Sequence, residues 1–174
     1  MAIRKILTEP DPFLRQKSTN VEEVNDEIRI LMNDMLETMY HAPGIGLAAI
    51  QVGIPKRVIV IDLSRAEEEK KPLYFINPEI ITNSDNNAAY EEGCLSVPGQ
   101  FAEISRPDKC KVKYLDYNGN AKILEAQGLL ATCLQHEIDH LEGILFIDYL
   151  SKLKKGMIIK KLSKHKKSLE RIVV

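Results

Sequence analysis

His136-Glu137-Ile138-Asp139-His140 places two imidazoles and a carboxylate within five residues of a segment with helical periodicity. At 3.6 residues per turn, His136 and His140 lie one above the other on a single helix face. Both can then share one metal ion, with bonds of roughly 2.0–2.1 Å. Glu137 is rotated about 100° around the helix from His136, so it flanks such an ion instead of binding it. A carboxylate in that position takes a proton from a water held on the metal, the chemistry of metal-assisted hydrolysis. The plainer alternative is a surface helix with two incidental histidines, but the chain has only four and two of them stand in this pattern.

Two histidines need a third ligand. An H-E-x-x-H-x-x-G-x-x-H site would require a histidine three residues after Gly143, where the chain has Phe146. Downstream glutamates are no better, since Glu142 is too near His140 and Glu170 lies in a basic tail. Three cysteines compete. Cys133 shares the His136 face but is seven residues from His140, about 10.5 Å along the axis, so it reads as wall. Cys110 alternates like a core strand residue, and buried cysteines behave as small hydrophobes. Cys94 remains, on a bend bounded by Glu91-Glu92-Gly93 and Pro98-Gly99, and is assigned as the ligand.

The elements that must position these groups follow from patterning. Residues 1–20 read as an extended, turn-rich lead-in. Asn25 caps a helix with Asp26 and Glu27 in its first turn. Ile28, Leu31, Met32, Met35, Leu36 and Met39 form its apolar face until Pro43-Gly44 stops it. Gly44 to Gln51 carries little side-chain bulk, so it reads as a turn and a tightly packed strand that a backbone can approach closely. Arg57–Leu63 is a buried strand by its β-branched run. Ser64–Lys71 is a solvated loop. Leu73–Asn77 and Glu79–Thr82 are strands split by Pro78, and Asn83–Asn87 is a turn. Lys109–Asp116 alternates as a half-buried strand, and Asn118-Gly119 turns it into a hairpin with Ala121–Ala126. Gly128 introduces the histidine helix, with Leu130, Leu134, Ile138 and Leu141 on its core face and Gly143 as its cap. From Ser151 an amphipathic helix turns Leu153, Met157, Ile158 and Leu162 inward. Lys152, Lys154, Lys155, Lys160, Lys161, Lys164, Lys166 and Lys167 face out.

With 174 residues and a net charge of −1, the chain suits one domain spanning 1–174 and is not a polyanion binder as a whole. No apolar run approaches a membrane span, and Pro10 and Pro12 break the start before it resembles a signal or transit peptide. Three cysteines argue against a disulfide framework and make a reducing cytoplasm the expected compartment.

Gly44-Ile45-Gly46-Leu47-Ala48-Ala49-Ile50-Gln51, Glu92-Gly93-Cys94-Leu95-Ser96 and Gln135-His136-Glu137-Ile138-Asp139-His140 together resemble the peptide deformylase family in kind, order and approximate separation. The resemblance implies an α+β fold: antiparallel sheets packed around a central metal-bearing helix, with an N-terminal helix and a C-terminal helix over 151–174. It implies removal of the formyl group from the N-terminal formyl-methionine of newly made proteins, releasing formate. Cys94, His136 and His140 would hold one divalent metal, ferrous iron in the cell, with zinc, nickel or cobalt possible in purified material. Glu137 would be the general acid/base, and Gln51 and the backbone N–H of Leu95 the donors to the oxyanion. A peptide backbone fits beside Gly46 as an added strand, and Ile45, Leu129 and Cys133 are candidates for the methionine pocket. Members of the family often carry an arginine shortly after the cysteine motif to hold the substrate backbone; this chain has Phe101 there. The resemblance also suggests that the basic tail contacts the ribosome.

Two other readings remain. An HExxH metallopeptidase would share the helix but cut unformylated internal bonds. A metal-stapled module binding RNA through its lysines would have four protein ligands and no exchangeable water.

Overall fold

The computed structural model describes the backbone of residues 1–172 and the side chains up to residue 168; the last two residues of the expected 151–174 helix lie outside the described residues. In chain order the elements are α1 (Asp26–His41), β1 (Gly46–Ala48), β2 (Val58–Ile61), β3 (Leu73–Asn83), β4 (Asn87–Cys94), β5 (Val97–Pro107), β6 (Lys109–Leu115), β7 (Ala121–Gln127), α2 (Leu129–Leu141) and α3 (Lys152–Ile172). Short 3-10 turns occupy Pro12–Arg15, Ala49–Val52 and Phe146–Tyr149. Five strands form one antiparallel sheet in the order β1-β2-β3-β6-β7, and β4 and β5 form a separate hairpin. This is an α+β fold. Among the described residues no helix is long and apolar enough to cross a membrane.

The apolar run of β2 has a two-sided explanation. Side chains alternate across a strand, and here both faces are covered. Val58 and Val60 pack with Leu31, Met32, Met35 and Met39 of α1. Ile59 and Ile61 pack with Ala131, Leu134, Ile138 and Leu141 of α2, together with Phe75, Val112 and Ala126. Each such side chain taken from water contributes roughly 1.5–3 kcal/mol, so the sheet is clamped between α1 and α2. A third cluster joins Val97 and Ile104 of β5 to Leu145, Phe146 and Ile147 and to Leu162 of α3.

Local signals placed α1 and α2 correctly. The Asn25 side chain accepts a hydrogen bond from the Ile28 N–H (3.1 Å) at the start of α1. Gly143 (φ +75°) stops α2: its N–H reaches the His140 carbonyl and the Ile144 N–H reaches that of Asp139, satisfying carbonyls the helix leaves free.

Four expectations are corrected. The small-residue strand ends at Ala48, because the Gln51 side-chain oxygen accepts from the Ala48 N–H (2.8 Å) and curls the chain into a 3-10 turn. Pro78 does not split β3; Asn77 takes φ +50°, and its side chain both donates to and accepts from the Val21 backbone. The irregularity is absorbed as a register shift between Ile76 and Glu79. Residues 87–107 are a hairpin that patterning did not reveal, for most of its residues are at least partly exposed. On α3 the inward face is Ile158, Ile159 and Leu162, while Leu153 and Met157 are exposed. Lys155, expected to point outward, pairs instead with Asp148 (2.7 Å), and that contact selects the face.

A Cβ at Gly143 would strike the Arg15 carbonyl, and its positive φ disfavours any L side chain. Gly143→Ala should therefore destabilise the fold by about 2 kcal/mol or more, read as a lowered midpoint in urea unfolding.

Candidate active site

Helix α2 sinks its chemistry. His136, Glu137 and His140 are all more than nine-tenths buried, in spite of their polarity. Cys94 sits at the last residue of β4, where the hairpin register shifts after Gly93, so its thiol leaves the ladder and meets the helix. Cys94 Sγ lies 3.3 Å from His140 Nε2, and one ligand atom each of Cys94, His136 and His140 fall within 4.8 Å of one another. Tetrahedral coordination at Zn–N and Zn–S bond lengths separates ligand atoms by roughly 3.3–3.8 Å, so this trio fits one ion after small adjustments.

The polar surroundings favour a cation. His136 Nδ1 faces Glu92 Oε2 at 2.8 Å, which leaves Nε2 as the ring nitrogen available to a metal. Glu92 is itself gripped by Arg106 through two hydrogen bonds (2.6 and 3.1 Å). Arg106 also reaches Asp139 (2.8 Å), and Tyr149 donates to Asp139 (2.7 Å) while its ring lies 4.8 Å below the guanidinium. Burial pushes the Glu92 carboxyl up, but hydrogen bonds from His136 and Arg106 outweigh it and hold the group below the usual carboxylate range. Burial pulls His136 down, yet hydrogen bonds with Cys94 and Glu92 and the nearby anions keep it well above the ordinary imidazole value. His140, by contrast, is held well below that value by burial first and then by the charge of His136.

Glu137 stands beside the trio. Burial pushes its carboxyl up to about 7, and Oε2 has no hydrogen-bond partner among the described residues. Gly46 makes room for it: a Cβ there would come within 2.5 Å of Glu137 Oε1 and 3.0 Å of Cys133 Sγ. Gln51, almost fully buried, donates from Nε2 to Ser96 Oγ (3.0 Å) and lies 3.6 Å from Cys94 Sγ.

A cleft of about 490 Å³ opens over these groups. Ile45, Gly46, Leu129 and Cys133 all border it, as do Gln51, Cys94, Leu95, His136 and Glu137. Every residue singled out from the sequence therefore comes to one place except His140, which lies just beneath the floor. Phe101 stands at the rim, two-thirds exposed, its ring over Gly93. Cys133 is buried, and desolvation raises its thiol well above the usual range; it is an uncharged wall, as its spacing along the helix suggested.

Sequence reasoning missed Arg106 and Tyr149, and quoted Glu92, Ser96 and Asp139 without a role. Arg106 is 14 residues from Glu92 and 33 from Asp139. Only a buried acidic residue beside a ligand, looking for a counter-charge, could have hinted at it.

A buried carboxylate beside three convergent side chains that could hold a metal ion, under a largely apolar cleft, fits a metal-dependent hydrolase. The sequence profile described as polypeptide deformylase matches residues 3–156. A peptide deformylase of Pelagibacter ubique is 66% identical over the whole of both chains, and one from Phenylobacterium zucineum is 61% identical over 97% of this chain and 99% of its own. The crystal structure of the Ehrlichia chaffeensis peptide deformylase in complex with actinonin superposes with a TM-score of 0.91 at 48% identity, covering 95% of this chain and 98% of the other. That of the Legionella pneumophila enzyme gives 0.89 at 46%, with 98% and 99% covered. The chain belongs to the polypeptide deformylase family. It is a metal-dependent hydrolase that removes the formyl group from the N-terminal formyl-methionine of newly made proteins and releases formate.

Because Glu92 orients His136 and balances its charge, Glu92→Gln should weaken metal binding about 10–100-fold. Competition with a chelator measures this, and unchanged metal affinity would remove Glu92 from the ligand support.

Proposed function

We propose that Cys94, His136 and His140 hold the divalent ion of this hydrolase and that Glu137 moves the proton in deformylation. The observation that carries this reading is the unpartnered Glu137 Oε2, buried beside three convergent ligand side chains and facing an apolar cleft. When bound, the ion supplies a Lewis acid and an acidified water. Glu137, with its carboxyl pushed by burial to about 7, accepts a proton as water attacks the formyl carbon and returns it to the departing amine near neutral pH. Gln51 Nε2 and the Leu95 N–H donate to the developing oxyanion, each worth roughly 3 kcal/mol when aligned.

The substrate's backbone runs along the outer edge of β1, which ends the five-stranded sheet and leaves its far side unpaired. Gly46 gives it room. Ile45, Leu129 and the uncharged Cys133 enclose the methionine side chain. At the mouth, Phe101 presents an aromatic face to the distal residues, in place of the arginine that many members use.

A thiolate with two imidazoles suits iron and zinc alike; ferrous iron is the assignment for the cell, and zinc, nickel or cobalt can replace it on purification. Residues 1–174 act as one catalytic domain, with the basic helix from 151 packed on it, in the cytoplasm where formylated nascent chains emerge. A metallopeptidase is not favoured, since the relatives and solved structures above are deformylases.

The purified holoenzyme should release formate from a formyl-methionyl peptide and leave its N-acetyl and internal-bond counterparts intact. Glu137→Gln should lower kcat/KM about 10³-fold with the metal retained. Cleavage of unformylated peptides at a comparable rate would overturn the substrate assignment. Cys94→Ala with full metal occupancy would overturn the ligand set.

Helix α3 offers exposed lysines beside the exposed Leu153 and Met157, which suits ribosomal RNA near the exit of nascent chains. Lys160, Lys161 and Lys164 changed together to Glu should abolish co-sedimentation with ribosomes at low salt without lowering peptide turnover. Unaltered sedimentation would dispose of that contact.

A further inference from the structure

The two oxyanion donors belong to parts of the fold that share no strand pairing. Gln51 comes from the 3-10 turn after β1, in the five-stranded sheet; Leu95 and Ser96 form the turn of the β4–β5 hairpin. Two donors converging on one oxygen must keep their spacing, because a misplacement of about 1 Å can cost 10²-fold in rate. Side chains supply only the bonds of Gln51 Nε2, to Ser96 Oγ at 3.0 Å and more weakly to Cys94 Sγ at 3.6 Å.

A second link runs through the backbone of the N-terminal segment. The Leu7 N–H donates to the Gln51 carbonyl at 2.7 Å, and the Glu9 N–H donates to the Ser96 carbonyl at 2.8 Å. Leu7 and Glu9 are two residues apart, so their amides are at most about 7 Å from each other, and one short stretch grips both turns. Both ends of the stretch are tethered. At its start the Arg4 N–H bonds Thr38 Oγ1 (2.9 Å), and the Arg4 guanidinium bonds Asp34 Oδ2 twice (3.1 and 2.9 Å). At its end the buried Glu9 carboxylate pairs with Arg15 (3.5 Å), which in turn pairs with Asp148 (2.5 Å). Arg4, Leu7 and Glu9, and their anchors Asp34, Thr38, Arg15 and Asp148, are not among the residues that line the cleft.

We infer that Arg4–Glu9 is a positioning strap that sets the separation between the Gln51 and Leu95 donors, with the Leu7 N–H as its grip on Gln51. The inference rests on the reading of Gln51 as an oxyanion donor. The strap touches neither the peptide nor the ion, so it acts on kcat and leaves KM and metal content alone.

The experiment is a double-mutant cycle on the holoenzyme, with a formyl-methionyl peptide as substrate and metal content measured for each protein. Gln51→Ala should lower kcat about 10²-fold. Leu7→Pro, which deletes the amide hydrogen, should lower kcat about tenfold with KM within about twofold. Leu7→Ala, which keeps that hydrogen, should stay within about twofold of the parent. In the Gln51→Ala background, Leu7→Pro should cost less than about twofold, because the donor it positions is gone. An unchanged kcat in Leu7→Pro, or losses that multiply in the double variant, overturns the strap and leaves the Gln51 reading standing. An unchanged kcat in Gln51→Ala overturns the oxyanion reading and the strap with it. Should Leu7→Pro fail to fold, Arg4→Gln, which unhooks the strap from α1 at a partly exposed position, takes its place in the cycle with a severalfold loss and the same non-additivity.

Discussion

The Arg106–Glu92 ion pair is the interaction on which the active centre depends. Its two side chains are 5% and 4% exposed, so both charges have left water, at a cost of several kcal/mol each. The contact is worth keeping because of what it joins. Glu92 lies on β4, Arg106 on β5, and their bonds to His136 and Asp139 run into α2. Hairpin and helix bring different members of one cluster together, Cys94 from the one and His136 and His140 from the other. A charge-assisted network with defined directions fixes their relative position in a way that apolar packing, which lacks direction, does not.

The same demand explains why so much of the centre is small or buried. Gly46 leaves room for the buried Glu137 carboxylate, which lies where its side chain would be, and the exposed Phe101 ring lies over Gly93. Helix α2 carries an apolar face and a polar face yet is buried on both, because the sheet takes Leu134, Ile138 and Leu141 while the hairpin takes His136 and His140. Desolvation on the polar side is what lifts Glu137 towards neutrality. A general base on an exposed helix face would keep an ordinary carboxylate pKa and be a weaker proton carrier at pH 7.

How much of this the sequence carried depended on whether a feature was local. The H-E-x-x-H spacing needs only helix geometry, so both histidines and Glu137 could be named with no knowledge of the fold. The caps at Asn25 and Gly143 are local too. Cys94 was reached by elimination, since the bend that frees its thiol is written in Gly93 and Pro98-Gly99, whereas the helix it meets is 42 residues away at His136. Gln51 and Leu95 came from family resemblance alone. Arg106 was invisible because a lone arginine in a strand carries no mark of a distant carboxylate. On α3 the stripes Leu153/Met157 and Ile158/Leu162 differ by about 140° around the axis. Either could have faced the protein. The choice was made by Lys155 meeting Asp148 and by Leu162 meeting the Phe146 cluster, neither of which is written in the helix itself.

Among the cysteines, the structure supplies a reason for division of labour that spacing only suggested. Metal binding and nucleophilic chemistry both need a thiolate, and a thiol deep in apolar surroundings resists ionisation. Cys110 is pushed up to about 11 by burial, and Cys133 is raised further by the neighbouring carboxylates of Glu137 and Glu92. Cys94 is partly exposed, and its sulfur accepts from the Ser96 N–H at 3.4 Å and from Gln51 Nε2 at 3.6 Å. Of the three thiols in this chain, the one on the kinked turn is the one left partly exposed and reached by hydrogen-bond donors. The turns that supply those donors are the two that the N-terminal segment ties together through the Leu7 and Glu9 amides, so the surroundings of that sulfur depend on the spacing between them.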